Sequence, residues 1–371
     1  MTRRELLGLV GAASLRGTPE APTAPVAVGR CRSYEEDLTA LLGRMFDQVG
    51  GLGRLVRNKT VSVKLNLTGS PGLRVRGLPL GVTHYSHPKV VGSVVHLLGA
   101  AGARRVRLIE SGYGTAAPLE EYLLDSGWNV RALSTAAPRV EFENTNALGL
   151  GRHYTRLKVP GGGQIFPAYD LNHSYADTDV FVTVAKLKEH ATCGVTLALK
   201  NSFGITPASI YGDDAGAEEP NEQPTKGRVD VCHLGKRAPC RSAPQEIDPG
   251  SSRDPGYRVP RITVELVAAR PIDLAIIDGI ETIAGGEGPW IAGVRPVRPG
   301  VMVVGRNPVT ADAVATAIMG FDPRARRGEA PFTDCDNTLL LAEAKGIGTA
   351  DLGKIEVIGA PVAEVRFGFR S

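Results

Sequence analysis

The strongest constraint on the fold is an uninterrupted apolar run, VFVTVAK, at residues 180–186. A strand that is apolar at successive positions is buried on both faces, which is typical of a parallel sheet covered by helices. Lys186 is the last residue of the run, and two more polar residues, Lys188 and His190, follow it at alternate positions. Ligands of open α/β sheets bind beyond the carboxyl ends of the strands, so this polar end predicts a functional site.

Predicted strands and helices alternate along most of the chain. TVSVKLNL at residues 60–67 predicts a strand, and Pro88 opens a predicted helix at no cost in hydrogen bonds. RRVRLIES at 104–111 and NVRALS at 129–134 predict further strands, as do IDLAII and GVMVVG later in the chain. The alternation predicts an α/β fold with a doubly wound, mostly parallel sheet and helices on both faces.

The predicted boundaries separate a leader from one large folded unit. We expect residues 1–29 to be an export signal and linker, and residues 30–371 to be a single α/β domain, which could be divided into lobes at 30–170 and 171–371. Residues 205–259 are dense in Gly, Pro, Asp and Glu and have little periodicity. Because long irregular loops in compact domains are usually functional or disordered, we interpret this segment as a loop-rich insertion that acts as a lid.

The first residues resemble a targeting signal rather than a structural element. Arg3 and Arg4 precede a short apolar run, as in twin-arginine export signals. This pattern predicts export to the periplasm or the cell exterior. The alternative is an ordinary N-terminal segment of a cytoplasmic protein.

Composition excludes several function classes. The formal net charge is +4 over 371 residues, and no basic run is interleaved with aromatic residues, which argues against nucleic-acid binding. No apolar stretch approaches the ~20 residues that a membrane span needs. The five cysteines form no CxxC pair, so no intrinsic iron–sulfur cluster is expected. Cys232 and Cys240 could form a local disulfide in an oxidising compartment, or remain free thiols.

Polar residues at the predicted strand ends give the candidate site. His190, Lys188 and Lys186 are the candidate catalytic residues, because their period-2 spacing would place them on one face of a continuing strand. Lys64 and Asn66 lie near the end of the predicted strand at 60–67, and Lys200 and Asn201 end the next predicted helix. We interpret these four as binding a cofactor or an anion.

Structural roles are the alternatives for several of these residues. Lys188 and Lys186 could solvate a strand end while His190 caps the next helix, and Lys200 could interact with the negative end of a helix dipole. Asn201 could belong to a helix stop. Asp312, one turn into a later helix, could line the site or interact with the helix start.

A metal site is a further possibility in the same region. His190, Asp278 and Glu287 combine a histidine with two carboxylates, and His87 could be a fourth ligand. These are ligand types that divalent metals use, although no local motif such as HExxH joins them. Asp278 could equally cap its own turn.

Four segments together resemble the family called domain of unknown function 362. They are VKLN at 63–66, VAKLKEHATCGVTLALKNSFG at 184–204, IDGIETIAGGEGP at 277–289 and GRNPVTADAVATAIMGFDP at 305–323. Many members of that family carry, or lie beside, a ferredoxin-like iron–sulfur domain. The resemblance therefore implies redox chemistry and a separate ferredoxin as partner, since this chain lacks the cysteine run.

These observations support three hypotheses on function. The first is an exported enzyme that acts on a small anionic substrate by acid/base, metal-assisted or redox chemistry, with the cofactor unidentified. The second is a non-catalytic protein that binds a metal or an organic cofactor. The third is a redox component served by a separate ferredoxin.

Overall fold

The computed structural model describes residues 20–369, so the predicted export signal lies outside the described residues. The strands are, in chain order, β1 Val26–Arg30, β2 Thr60–Lys64, β3 Arg105–Glu110, β4 Val140–Asn144, β5 Thr155–Lys158, β6 Ala168–Leu171, β7 Val180–Lys186, β8 Glu189–His190, β9 Gly194–Val195, β10 Leu274–Gly279, β11 Thr282–Ala284, β12 Arg295–Val297, β13 Val301–Gly305 and β14 Val357–Gly359. The helices are α1 Leu38–Gln48, α2 Gly53–Val56, α3 Pro88–Ala100, α4 Leu119–Asp125, α5 Val130–Ser134, α6 His173–Ala176, α7 Leu197–Asn201, α8 Ala208–Tyr211, α9 Pro255–Ala269, α10 Pro308–Ile318, α11 Thr338–Ala344 and α12 Val362–Val365.

One eight-stranded sheet organises the molecule, with the strand order β14-β1-β13-β10-β7-β2-β3-β4. Strands β10, β7, β2, β3 and β4 pair in parallel, and so do β1 and β14. Only β13 runs the opposite way, since its pairings with β1 and β10 are both antiparallel. The predicted doubly wound, mostly parallel sheet is confirmed.

The winding of the sheet changes direction between β2 and β7. From β2 the chain adds β3 and β4 towards one edge, and it then returns to place β7 and β10 on the other side of β2. The loops that leave β2 and β7 therefore diverge and open a crevice at the carboxyl ends of these strands. Such a switch point is where open α/β sheets bind ligands.

Alternation along β7 explains why both of its faces are apolar. Val180, Val182 and Val184 pack into one hydrophobic core with helices α1 and α3, whereas Phe181 and Ala185 pack into a second core with α7, α9 and α10. All seven residues of β7 are buried. Helices thus cover both faces of the sheet, as the uninterrupted apolar run predicted.

Local sequence chemistry sets several helix starts. Helix α3 begins at Pro88, as predicted, and the His87 side chain accepts a hydrogen bond from the backbone N–H of Lys89. Helix α10 begins in the same way, with Asn307 capping and Pro308 in the first turn. Proline is tolerated at these positions because the N–H groups of a first turn have no partner within the helix.

Two predicted boundaries and one predicted strand differ from the structure. Residues 26–29, assigned to the linker, belong to β1, because their apolar side chains fill the space between β13 and β14. NVRALS forms helix α5 rather than a strand, since Asn129 caps a helical turn through the N–H of Ala132. Helix α9 begins at Pro255, inside the predicted insertion.

The insertion at 205–259 is irregular but packed. Ile210, Tyr211, Val231 and Cys232 are buried and belong to the same core as α9 and α10. These contacts anchor parts of the segment to the core beside the cavity, and its role as a lid stays a prediction. Both Cys232 and Cys240 are free thiols.

No helix within residues 20–369 is long and apolar enough to cross a membrane.

Candidate functional site

A cavity of about 530 Å³ lies at the carboxyl ends of β2 and β3 and against the segment that follows β7. Its volume falls within the range of about 300–1,000 Å³ that is usual for small-molecule sites. The cavity occupies the crevice at the switch point of the sheet. The charged and imidazole side chains that line it are Lys64, Glu110, His190, Lys200, Arg228, His233 and Glu287.

Lys200 is the cation of this cavity that lacks a hydrogen-bonded partner among residues 20–369. Its ammonium lies 4.1 Å from the centre of the Phe203 ring, a cation–π contact. Burial lowers the pKa of Lys200 to about 8, Cys193 and the Glu287 carboxylate oppose this shift, and the cations Arg228 and Lys64 add to it. A lysine with this pKa is mostly charged at neutral pH, yet it can release its proton close to that pH.

Asp312 positions the helix that carries Lys200. Its two carboxylate oxygens accept hydrogen bonds from the backbone N–H groups of Ala198 and Leu199, each at 2.8 Å. These contacts hold the first turn of α7, where Leu197 adopts the left-handed conformation with φ of 46°. Asp312 is fully buried and does not line the cavity. Asp312 therefore contributes to the site indirectly, by fixing the position of α7.

Lys64 and Glu110 form an ion pair in the cavity wall. Their side chains are 2% and 4% exposed, so neither charge is stabilised by bulk water. The Glu110 carboxylate also accepts hydrogen bonds from the backbone N–H groups of Leu67 and Ser111, both at 2.9 Å. Burial lowers the pKa of Lys64 and raises that of Glu110, and their mutual attraction opposes both shifts. The two opposite charges thus compensate each other within the cavity wall.

The two cavity histidines are neutral and have opposite hydrogen-bonding roles. Burial lowers the pKa of His190 well below its usual value and that of His233 to about 4. The Nδ1 atom of His190 accepts from the backbone N–H of Thr192 at 3.2 Å, so the proton of this ring is on Nε2. The Nδ1 atom of His233 lies 3.2 Å from the carbonyl oxygen of Arg228 and must donate to it, which leaves Nε2 as an acceptor. A ligand therefore meets one donor and one acceptor.

Arg228 adds a second cation that is not directly paired with a carboxylate in the described part of the chain. Its guanidinium donates to the carbonyl oxygen of Thr206 at 2.6 Å and to Oδ1 of Asn146 at 2.7 Å. Both acceptors are neutral, so they orient the group without cancelling its charge. With the histidines neutral, the three cations of the lining exceed its two carboxylates by one, and this excess of positive charge favours anions.

Glu287 is the second carboxylate of the lining, and its oxygens are engaged. One accepts from the backbone N–H of Ala191 at 3.0 Å and the other from the indole N–H of Trp290 at 2.9 Å. The glycine-rich loop at 285–289 carries this carboxylate to the segment that holds His190. Glu287 thereby joins two loops across the mouth of the cavity.

Lys186, Asp278 and His87 lie outside the cavity and form a second buried group with Tyr34, here named the Tyr34 cluster. The ammonium of Lys186 donates to Asp278 at 2.9 Å, to the Tyr34 hydroxyl at 2.8 Å and to the carbonyl oxygen of Gly81 at 2.6 Å. The His87 ring stacks on Tyr34 with 3.5 Å between ring centres. Lys186 and Asp278 are both fully buried. Every charge in this cluster is directly compensated.

Lys188 also lies outside the lining. Its ammonium donates to the carbonyl oxygens of His84 and Glu287, at 2.8 and 3.1 Å. Burial lowers its pKa to about 7. The residue ties the loop that carries Glu287 to the loop that carries His84, instead of facing a ligand.

The predicted metal ligands are divided between the two places. His190 and Glu287 line the cavity, whereas Asp278 and His87 belong to the Tyr34 cluster. Within residues 20–369 no group of three or more His, Cys, Asp or Glu side chains could hold a metal ion. The prediction that these four residues form one site is wrong, because Asp278 is paired in register with Lys186 and turns to the same face of the sheet.

All four residues predicted to bind an anion or cofactor line the cavity: Lys64, Asn66, Lys200 and Asn201. Asn201 donates to the Thr183 hydroxyl at 2.8 Å, which fixes the end of α7 against β7. Of the three predicted catalytic residues, only His190 reaches the cavity. The expected common face fails because β7 ends at Lys186, and Lys188 and His190 follow in a turn and a short hairpin.

Arg228, His233 and Trp290 were not predicted as site residues. Arg228 precedes a single π-helical turn, Val229–His233, inside the irregular insertion, and His233 is the last residue of that turn. Such turns are rare and frequently occur at functional sites, but they leave no periodicity in the sequence. A signal was present for Trp290, which directly follows the glycine loop that carries Glu287.

Comparison with known proteins finds a curated relative, a solved structure and a family. A curated protein of Synechocystis sp., described as thylakoid-associated, is 25% identical over 300 residues, which cover 80% of this chain and 75% of the relative. A crystal structure of a Thermotoga maritima protein matches 73% of this chain with 13% identity and a TM-score of 0.34, and the match spans 56% of that protein's chain. The family described as Domain of unknown function (DUF362) matches residues 61–317. The chain therefore belongs to the DUF362 family.

Proposed function

We propose that the cavity binds a small organic anion, such as a carboxylate, and that the protein is an enzyme that moves a proton on it. The observation that carries this proposal is Lys200, a cation in the cavity without a direct partner in the described chain. Lys200 is partly buried. A partly desolvated charge without a partner is costly, so a ligand that supplies the missing negative charge is favoured. Arg228, whose hydrogen-bond partners are neutral, would share the anion with it.

The neutral residues around Lys200 support proton transfer. The Nε2–H group of His190 can donate to a ligand oxygen, and Nε2 of His233 can accept a hydrogen bond or a proton. Lys200 has a pKa of about 8, so at neutral pH it is charged, can hold the anion and can stabilise the negative charge that forms as the proton leaves. In this proposal Nε2 of His233 accepts that proton and returns it, while the Nε2–H group of His190 orients the reacting group.

Binding is tested by a thermal-shift screen of organic acids on three proteins: the wild type, Lys200→Met and Lys158→Met. Lys158 is an exposed lysine outside the cavity and serves as the matched control. A ligand that binds only the folded protein raises its melting temperature. We expect some acids to stabilise the wild type and Lys158→Met but not Lys200→Met. Equal shifts in all three proteins would contradict the assignment of Lys200.

Proton transfer is tested on the acids that bind. Each acid is incubated with protein in D₂O, and exchange of the C–H group beside its carboxylate is followed by proton NMR. We expect exchange with the wild type and none with Lys200→Met. Binding without exchange for every acid would contradict the catalytic part of the proposal and favour a binding protein without turnover.

Export is proposed as well, on the support of the paired arginines at the N-terminus. Expression of the full chain in a host with a twin-arginine pathway, followed by fractionation, tests it. We expect the protein in the periplasm and expect Arg3→Lys combined with Arg4→Lys to retain it in the cytoplasm. Equal distribution of both proteins would contradict export by this route.

A further inference from the structure

The rim of the cavity is unusually apolar for a site with unpaired cations. Eight large hydrophobic side chains are exposed within residues 20–369, and four of them line this cavity. These four are Leu73 (47% exposed), Tyr113 (50%), Val229 (47%) and Trp290 (43%). They come from four separate loops, so their meeting at one opening is a property of the fold. Exposed apolar side chains that cluster in this way mark binding surfaces.

Trp290 is held in a fixed orientation although it is exposed. Its indole N–H donates to Glu287 at 2.9 Å, and its ring lies flat against two glycines. A methyl group built on Gly69 would be 2.4 Å from the ring, and one built on Gly288 would be 2.3 Å from it. Neither position can therefore accept a side chain without displacing the indole.

The backbone beneath Trp290 is also fixed. The carbonyl oxygen of Gly69 accepts hydrogen bonds from the hydroxyls of Tyr85 and Tyr122. Both tyrosines are buried and belong to the core that contains α3 and α4. The indole is thus a preformed aromatic surface, which loses little conformational freedom when it contacts a ligand.

The apolar rim directly adjoins the cations. Arg228 lies in the chain between Gly227, on which the Tyr113 ring packs, and Val229. A Cβ on Gly227 would be 3.2 Å from the Tyr113 ring, so this contact is close. One opening therefore presents aromatic and aliphatic surface at the rim and positive charge within.

We infer that the ligand is an amphipathic organic anion, with its negative group at Lys200 and Arg228 and a flat aromatic group against Trp290 and Tyr113. This inference rests on the proposed anion binding and specifies the class of the ligand. The volume of the cavity agrees with it. The cavity volume is about 530 Å³. Acetate and phosphate have volumes of only a few times the ~30 Å³ that one water molecule occupies in the liquid, so they would fill a small part of it.

The test compares three probes by isothermal titration calorimetry: naphthaleneacetate, acetate and the uncharged naphthaleneacetamide. Naphthaleneacetate combines both features, and each of the others keeps one. Because an aromatic group buries a large apolar area, we expect naphthaleneacetate to bind at least about tenfold tighter than acetate. We also expect it to bind at least about tenfold tighter than the amide, because only the acid carries the charge.

Variants assign the two parts of the ligand. Trp290→Ala should weaken naphthaleneacetate about tenfold and leave acetate unchanged, whereas Trp290→Phe should retain most of the affinity. Leu150→Ala is the matched control, because Leu150 is 78% exposed and lies outside the cavity. In indole N–H NMR spectra, the signal that is missing in Trp290→Phe should be the one that naphthaleneacetate shifts. Only two tryptophans are present, so the assignment is direct.

The outcomes separate this inference from the proposed function. If acetate binds as tightly as naphthaleneacetate and both need Lys200, the aromatic part of the inference is overturned and anion binding stands. If the amide binds as tightly as the acid and Lys200→Met has no effect, anion binding is overturned. If none of the probes binds at millimolar concentration, or Trp290→Ala and Leu150→Ala behave alike, the inference is overturned.

Discussion

The Tyr34 cluster and the cavity use the same residue types at the same edge of the sheet, yet they differ in how the charges are compensated. In the Tyr34 cluster the ammonium of Lys186 has three oxygen partners within 2.9 Å. In the cavity the ammonium of Lys200 has a ring contact and no hydrogen-bonded partner in the described chain. The first arrangement is complete without a ligand and the second is not.

This difference indicates what each lysine contributes. A buried ion pair with all of its hydrogen bonds made is expected to hold the fold together, because removal of one partner leaves the other charge uncompensated. Lys200 is only partly buried, but a partly desolvated cation without a partner also lowers the stability of the folded protein, and such a residue is usually kept for function. Opposite effects on stability should therefore distinguish the two regions.

The largest effect is expected from Asp278→Ala, which leaves Lys186 buried without its carboxylate. We expect the free energy of unfolding to fall by about 3–5 kcal/mol. Urea unfolding measures this change. The control is Lys186→Met combined with Asp278→Leu, which removes both charges and should restore much of the loss. If the double variant is as unstable as Asp278→Ala, the uncompensated charge is not the cause.

The opposite sign is expected for Lys200→Met. The folded state holds the pKa of Lys200 at about 8, below the value of 10.5 that applies to the unfolded chain. The folded protein therefore binds this proton more weakly, and the charged lysine lowers stability at neutral pH. We expect Lys200→Met to raise the free energy of unfolding by about 1–2 kcal/mol at pH 7.

The pH dependence of this gain provides its control. As the pH rises from 8 to 10.5, Lys200 of the folded wild type loses its proton and its destabilising charge. The stability difference between Lys200→Met and the wild type should therefore shrink. Lys158→Met should show no such trend. A destabilised Lys200→Met, or a gain that grows with pH, would mean that Lys200 is compensated as fully as Lys186.

Anion affinity should also depend on the protonation of Lys200. We expect naphthaleneacetate to bind with constant affinity below pH 7 and to weaken by up to about tenfold per pH unit once the free lysine loses its proton near pH 8. Calorimetry at a series of pH values measures the profile. Lys200→Met should bind weakly at every pH, and an unchanged profile in that variant would assign the titration to another group.

The smallest effect is expected for the exposed ion pair of Lys89 and Glu35, which lies near the Tyr34 cluster. The two side chains are 50% and 80% exposed, so water screens their attraction. Lys89→Met should change the free energy of unfolding by no more than about 1 kcal/mol. A loss comparable to that of Asp278→Ala would show that burial does not decide the value of these pairs.

The fold was largely predictable because its local signals agree with one another. The apolar run of β7, the helix start at His87 and Pro88, and the alternation of elements all point to a doubly wound sheet. Val26–Arg30 was missed because its short strand follows a Pro- and Ala-rich segment that resembles a linker. Helix α5 was misread because five residues are too few to show a period.

The candidate site was predictable in part. Lys64, Asn66, Lys200 and Asn201 are at the cavity because ligand sites form beyond strand ends at the switch point. Lys186 and Asp278 were misplaced because β7 is apolar on both faces, and the sequence then does not tell which face meets the cavity. Arg228 and His233 come from an irregular segment whose path depends on tertiary packing.

The most direct test of the central difference compares the affinity for naphthaleneacetate of two variants at pH 7. Lys200→Met removes the unpaired cation, and Lys186→Met with Asp278→Leu removes the paired one without leaving a buried charge. We predict that Lys200→Met loses about tenfold or more in affinity, the value of a charged hydrogen bond, while the double variant stays within about twofold of the wild type. The reverse pattern would place the anion site at the Tyr34 cluster and contradict this account.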